Sequence, residues 1–158
     1  MKSIINSFKN AMIGICSALR TERNLRFHFV IANLIVIFAY FFGLTKCEWA
    51  ILVLAIAGVI TAELINTGIE KAVDTAVSEY NENARFAKDV SAGAVLLFAV
   101  FSLVIGFILF FDAEKIAKTL EYIFTNPIIL VSCLGIGILD ILFIIFGGKK
   151  NDRKEKRF

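Results

Sequence analysis

Four polar side chains stand in one continuous helical pattern: Glu63, Asn66, Glu70 and Asp74, spaced 3, 4 and 4 residues apart. That spacing puts all four on one face of a helix. The preceding stretch, Trp49 to Thr61, is apolar, and no Gly–Pro break separates it from the acidic row. The face therefore runs from the interior of a membrane helix out to its end. A carboxylate at bilayer depth costs on the order of 3 kcal/mol on insertion scales, so a row of them facing lipid would not persist and must meet protein, water or a metal. Groups so arranged can hold a divalent cation together with phosphate oxygens, take the proton of a hydroxyl, or relay protons.

The elements that position this row are set by hydropathy. Of the 158 residues, 58% are apolar and 13% aromatic, and the mean hydropathy is +0.78, which is too apolar for a soluble domain. Four apolar runs, Phe27–Phe42, Trp49 to about Ile69, Ala92–Phe111 and Pro127–Phe146, each approach the roughly 20 residues that cross a bilayer. The expectation is an all-α integral membrane protein. Ahead of the first run, Ile4, Ile5, Phe8, Met12, Ile15 and Leu19 form one stripe of an amphipathic helix lying at the membrane surface. No small-x-small cleavage site follows the first run, so the N-terminus is expected to be retained.

Charge sets the orientation. Lys2, Lys9, Arg20, Arg23 and Arg26 precede the first span, Lys71, Arg85 and Lys88 follow the second, and Lys149, Lys150, Arg153, Lys154, Lys156 and Arg157 follow the fourth, together 14 of the 17 basic residues. The positive-inside rule then puts both termini and the central loop in the cytoplasm. Gly43–Glu48 is a short outer turn, and residues 112–126 an amphipathic outer connector. From Trp49 the second helix is expected to run to about Ser78. At 1.5 Å per residue its length is about 45 Å against a hydrocarbon core of about 30 Å, so Glu63 lies deepest, Glu70 near the cytoplasmic surface and Asp74 beyond it. Residues 79–91 turn the chain back, with Asp89 and Ser91 as caps for the third span.

Other features read as structural. Cys16, Cys47 and Cys133 are far apart and make neither a disulfide framework nor a zinc site. His28 has no carboxylate near it in sequence and is expected to be an interfacial residue. Asn33 is an interhelical hydrogen-bond donor, and Asp140 either pairs with a basic residue of the bundle or sits near the interface. Gly58 with Ala62 and Ser102 with Gly106 are small-residue pairs for close helix contact, and the Gly135-Ile136-Gly137 fragment lies inside a span. The basic tail is a retention and orientation signal, and no nucleic-acid partner is expected.

Glu63-Leu64-Ile65-Asn66-Thr67-Gly68-Ile69-Glu70, followed by Asp74 and by Ala87-Lys88-Asp89 ahead of a Gly-Ala-Val-Leu-Leu helix start, resembles the prokaryotic diacylglycerol kinase family, which includes undecaprenol kinases. The resemblance covers about residues 1–111. It departs at Gly68, where the family usually has Ala, and in the apolar segment beyond residue 126. It implies a kinase-like membrane domain over 1–111, with an amphipathic surface helix and three spans. Residues 112–158 then form an extracytoplasmic connector, a fourth C-terminal transmembrane helix and a basic cytoplasmic tail. The implied reaction moves the γ-phosphate of MgATP to a membrane lipid alcohol, with Mg²⁺ as cofactor, a homotrimer as the assembly, and a cytoplasm-facing site in a bacterial plasma membrane.

Under that resemblance Glu63, deep and partly desolvated, meets the lipid hydroxyl as general base. Glu22 and Glu70 hold Mg²⁺, and Asn66, Asp74, Glu79, Lys88 and Asp89 contact the nucleotide. Asn66-Thr67 followed by a small residue, and Thr21-Glu22-Arg23-Asn24-Leu25-Arg26, are similar to the undecaprenol kinase branch, so undecaprenol is the expected acceptor and diacylglycerol the alternative. Nothing like a Gly-rich phosphate loop is present. Two other classes use the same acidic face: a small proton-coupled transporter or channel subunit, and a non-catalytic assembly subunit. Neither accounts for Lys88 and Asp89 beside the acidic helix or for Glu22.

Overall fold

The computed structural model of the protein describes residues 2–148. They form six helices: α1 (Lys2–Thr21), α2 (Arg23–Phe42), α3 (Lys46–Ala76), α4 (Glu82–Phe110), α5 (Ala113–Thr125) and α6 (Pro127–Phe146). Four of these, α2, α3, α4 and α6, are long and apolar enough to cross a membrane, and the described residues contain no strand. The protein is an all-α integral membrane protein, with its spans where hydropathy places them. The basic residues from Lys149 to Arg157 lie outside the described residues.

Local chemistry accounts for most of the helix ends. Gly43, at φ 70°, takes the left-handed conformation that ends α2, and its N–H bonds to the Ala39 carbonyl at 3.1 Å. Two residues later Thr45 and Glu48 close a reciprocal capping box, with the Thr45 N–H 2.7 Å from Glu48 Oε2. The hairpin α2–α3 is thus written in a few residues. Asp112 caps α5, and Asn126 followed by Pro127 starts α6.

The start of α4 differs from expectation. The cap is Asn81, whose side chain accepts from the N–H groups of Asn83 and Ala84 at 2.9 and 3.1 Å. Asp89 and Ser91 lie inside the helix. Residues 82–91 include Ala84, Arg85, Ala87 and Lys88, all good helix formers, so this polar stretch is the solvated first part of α4 and not a loop.

α3 and α4 form the most extensive helix pair. Gly58 permits the close approach, because a Cβ there would come within 2.7 Å of the Phe98 ring, and Ser102 Oγ donates to the Ala55 carbonyl at 3.2 Å. No comparable constraint holds Gly68, where an added Cβ would meet nothing within 4 Å. Gly68→Ala should therefore raise stability by about 0.5–1 kcal/mol through helix propensity alone, read as a higher Tm in detergent. A Tm that falls would show that this position needs its glycine.

At the end of the bundle with the α2–α3 hairpin, Lys115 of α5 donates to the Gly43 carbonyl at 3.2 Å and lies 4.3 Å from the centroid of the Phe42 ring. At the opposite end the buried Arg26 guanidinium donates through Nη1 to the carbonyls of Leu19 and Arg20, at 2.9 and 3.2 Å. These are unpaired carbonyls in the last turn of α1, so Arg26 fixes the surface helix to the first span. Within one chain α6 has no buried residue and α4 only Ser91, and the remaining apolar surface suits lipid or other subunits.

The fourth span joins the rest through a polar pair. Asn33 Nδ2 of α2 donates to both carboxylate oxygens of Asp140 of α6, at 2.9 and 3.2 Å. Asp140 thus pairs with an amide, not with a base, and such bonds within a membrane are worth roughly 0.6–1.7 kcal/mol. Removing the amide strands a carboxylate among apolar surroundings, whereas removing the carboxylate strands only an amide. Asn33→Leu should therefore lower the Tm in detergent more than Asp140→Leu, and the double variant should recover much of the loss. A double variant less stable than Asn33→Leu would contradict this pairing.

Candidate active site

The acidic face of α3 gathers at the end of the bundle where α1 ends, α2 begins and α4 begins. Glu63 is the innermost of its members and is 4% exposed. His28, from the second turn of α2, places Nε2 3.2 Å from Glu63 Oε1. An ionised carboxylate can only accept, so with Glu63 ionised it is Nε2 that supplies the proton of this contact. The pair is not visible in the sequence because the partners sit on separate helices. Both Glu70 and Glu22 are within electrostatic range of Glu63.

One turn further out, Asn66 is held from both sides. Its Nδ2 donates to Glu70 Oε1 at 3.0 Å, and its Oδ1 accepts from Ser91 Oγ of α4 at 2.6 Å. The two bonds fix which way the amide points and steady Glu70. Ser91 is buried. Its place in α4 is a site feature that the sequence presented only as a cap.

At the rim, Glu22 sits at the α1–α2 junction, with Lys71 Nζ 3.5 Å from its Oε1. Lys88 Nζ donates to Asp74 Oδ1 at 2.8 Å, and its charge also reaches Glu70. Exposed pairs of this kind are worth about 0–1 kcal/mol, so an incoming anion or cation can displace them easily. Asp89 lies outside the cluster, its Oδ2 3.6 Å from Arg85 Nε on the surface of α4. Glu79, in the turn 77–81, takes no part in these contacts.

The structure thus brings Glu63, Asn66, Glu70, Asp74 and Lys88 along one seam of α3 and α4, with Glu22 facing it from the start of α2. Among the described residues no three His, Cys, Asp or Glu groups converge as a preformed metal cage. Mg²⁺ does not need one, since it uses one or two carboxylates together with phosphate oxygens and water. The donors present fit such an ion.

Inward from His28 lies an apolar cavity of about 320 Å³ between α2, α3 and α4. Ile31 and Ile35 line it from α2, Ile56 and Val59 from α3, and Leu103 from α4, with His28 among the lining. Its other polar lining residue, Ser102, is bonded to the Ala55 carbonyl. An apolar slot with a buried acid near one end can take an amphiphile whose polar head meets that acid.

The chain matches known proteins over the same region. Residues 9–110 match the family model described as prokaryotic diacylglycerol kinase. An undecaprenol kinase of Bacillus subtilis (strain 168) is 40% identical over 110 residues, covering 70% of this chain and 89% of that protein. A diacylglycerol kinase of Synechocystis sp. is 36% identical over 105 residues, or 66% of this chain and 60% of that protein, and one of Haemophilus influenzae is 31% identical over 109 residues, or 68% and 92%. No solved structure matches the chain. The helical membrane fold, the acidic seam and these likenesses together make the chain a lipid kinase belonging to the prokaryotic diacylglycerol kinase family.

Proposed function

We propose that this lipid kinase transfers the γ-phosphate of MgATP to undecaprenol, giving undecaprenyl phosphate. The observation that carries the reading is Glu63, buried beside His28 at the inner end of the acidic seam, where the apolar cavity begins. A lipid hydroxyl delivered there meets a general base, and a polyphosphate held one to two turns outward meets Glu70, Glu22 and Lys88. Phosphoryl transfer needs this in-line placement and charge neutralisation more than any covalent group on the protein.

Glu63 takes the hydroxyl proton as the oxygen attacks the γ-phosphorus, and the bond from that phosphorus to the β–γ bridging oxygen breaks, so that ADP leaves with the electron pair. Glu70 and Glu22 are the residues that would hold Mg²⁺, and Asn66 keeps Glu70 in place. Lys88 and Asp74 lie where the nucleotide phosphates arrive, with Glu79 and Asp89 further out as nucleotide contacts. When bound, Mg²⁺ neutralises charge on the transferring phosphoryl group. In this reading residues 1–111 form the kinase domain, the site faces the cytoplasm of a bacterial plasma membrane, and α6 packs at the rim. Three copies enclose the polar seam, which one chain leaves partly open, so cross-linking in membranes should give trimers.

The acceptor is supported by two observations. The similar Bacillus subtilis protein is named an undecaprenol kinase, and the α2–α3–α4 slot of about 320 Å³ beside His28 has room for the hydroxyl end of a polyisoprenoid chain. Purified protein in mixed micelles with undecaprenol or diacylglycerol, supplied with γ-labelled MgATP, should label both lipid fractions, with the higher kcat/KM for undecaprenol. A preference for diacylglycerol would reassign the acceptor, and transfer to neither would remove the proposal.

A further inference from the structure

Glu63 is buried, and among the described residues the one ion-pair contact its carboxylate makes is with His28 Nε2, at 3.2 Å. We propose that His28 is a positioning residue: its Nε2–H holds one oxygen of Glu63 so that the other is aimed at the hydroxyl of a lipid whose chain lies in the α2–α3–α4 cavity. The inference rests on reading Glu63 as the base.

Glutamate carries three rotatable side-chain bonds, and fixing such a chain costs rotamer freedom. Packing alone does not specify which way its carboxylate turns. The contact at 3.2 Å does, because it ties Oε1 to the Nε2 edge of a ring that has its own fixed place on α2. His28 is itself placed. It stands on α2 beside Phe27, with the two rings edge to face and their centroids 6.2 Å apart. It also lines the cavity, so one ring touches both the carboxylate that takes the proton and the slot that brings the hydroxyl. A lipid chain packed against Ile31, Ile35 and Val59 is thereby in register with Glu63. His28 need not gain or lose a proton for this role.

The test uses the full chain in mixed micelles, with undecaprenol as acceptor and MgATP as donor. His28→Leu keeps an apolar wall but removes the N–H. Its kcat should fall on the order of 100-fold, the size of effect expected for a misplaced catalytic group, while KM for MgATP stays within about twofold. His28→Gln offers an amide N–H at nearly the reach of Nε2 and should restore most of kcat, whereas His28→Asn, one bond shorter, should not. A Leu variant with undiminished kcat would overturn the proposal, and so would Gln and Asn variants of equal activity. The Gln–Asn comparison decides the matter even if the Leu variant does not fold. Glu63→Gln is measured alongside: if it turns over normally, the assignment of the base has failed and this inference falls with it. If it is inactive while the His28 variants are normal, only the inference falls.

Discussion

Glu63→Gln is expected to remove turnover almost completely while leaving the affinity for Mg-nucleotide unchanged. Gln has nearly the same shape, and its carbonyl oxygen can still accept from His28 Nε2, so the packing around the position survives. What it lacks is the capacity to take a proton. Loss of a positioned general base costs typically 10²–10⁴-fold in rate, and kcat should fall within that range. Stability should hold or rise, because a buried carboxylate with one partner is replaced by a neutral amide. Turnover is measured by transfer of labelled γ-phosphate into lipid, and nucleotide affinity by equilibrium titration with a non-hydrolysable analogue. A variant that loses nucleotide affinity in step with turnover would show that Glu63 belongs to the metal site.

Glu70→Gln should fail differently. Glu70 lies two turns nearer the end of α3, where Asn66 Nδ2 holds its Oε1 at 3.0 Å. Neutralising it leaves volume and hydrogen bonding nearly intact but removes a charge that a hard divalent ion requires. Even loss of a group that only orients a metal ligand costs typically 10–100-fold in metal affinity, so loss of the ligand charge should cost at least that much. Raised Mg²⁺ should therefore recover Glu70→Gln by mass action and leave Glu63→Gln inactive. Glu22→Gln should follow Glu70→Gln with a smaller effect, since Glu22 pairs with Lys71 at the rim and is easily reorganised. Kinetics against Mg²⁺ at fixed ATP separate the two behaviours. Recovery of Glu63→Gln by Mg²⁺, or none for Glu70→Gln, would reverse the division of labour.

The sequence by itself determined the membrane class, the four spans and the acidic face of α3. Hydropathy and the 3.6-residue period are local properties, and the bilayer leaves a polar face few environments. Gly43, the Thr45–Glu48 box and Asn126–Pro127 likewise act on backbone within a few residues of themselves. The start of α4 was misplaced because Asp89 and Ser91 are as able to cap as Asn81, and only the packed chain shows which residue does so.

Tertiary structure alone decided the partners. Ser91 meets Asn66 across 25 residues of chain and Asn33 meets Asp140 across 107, while His28 reaches Glu63 from another helix. No periodicity encodes such contacts. They depend on the rotation and register of whole helices, which are fixed by the sum of many small packing terms: Phe98 over Gly58, Lys115 on the Gly43 carbonyl, Arg26 on the end of α1. Within a membrane these few polar bonds add specificity to helices that are apolar nearly all round. The position of His28 relative to Glu63 therefore emerges only once the helices have docked.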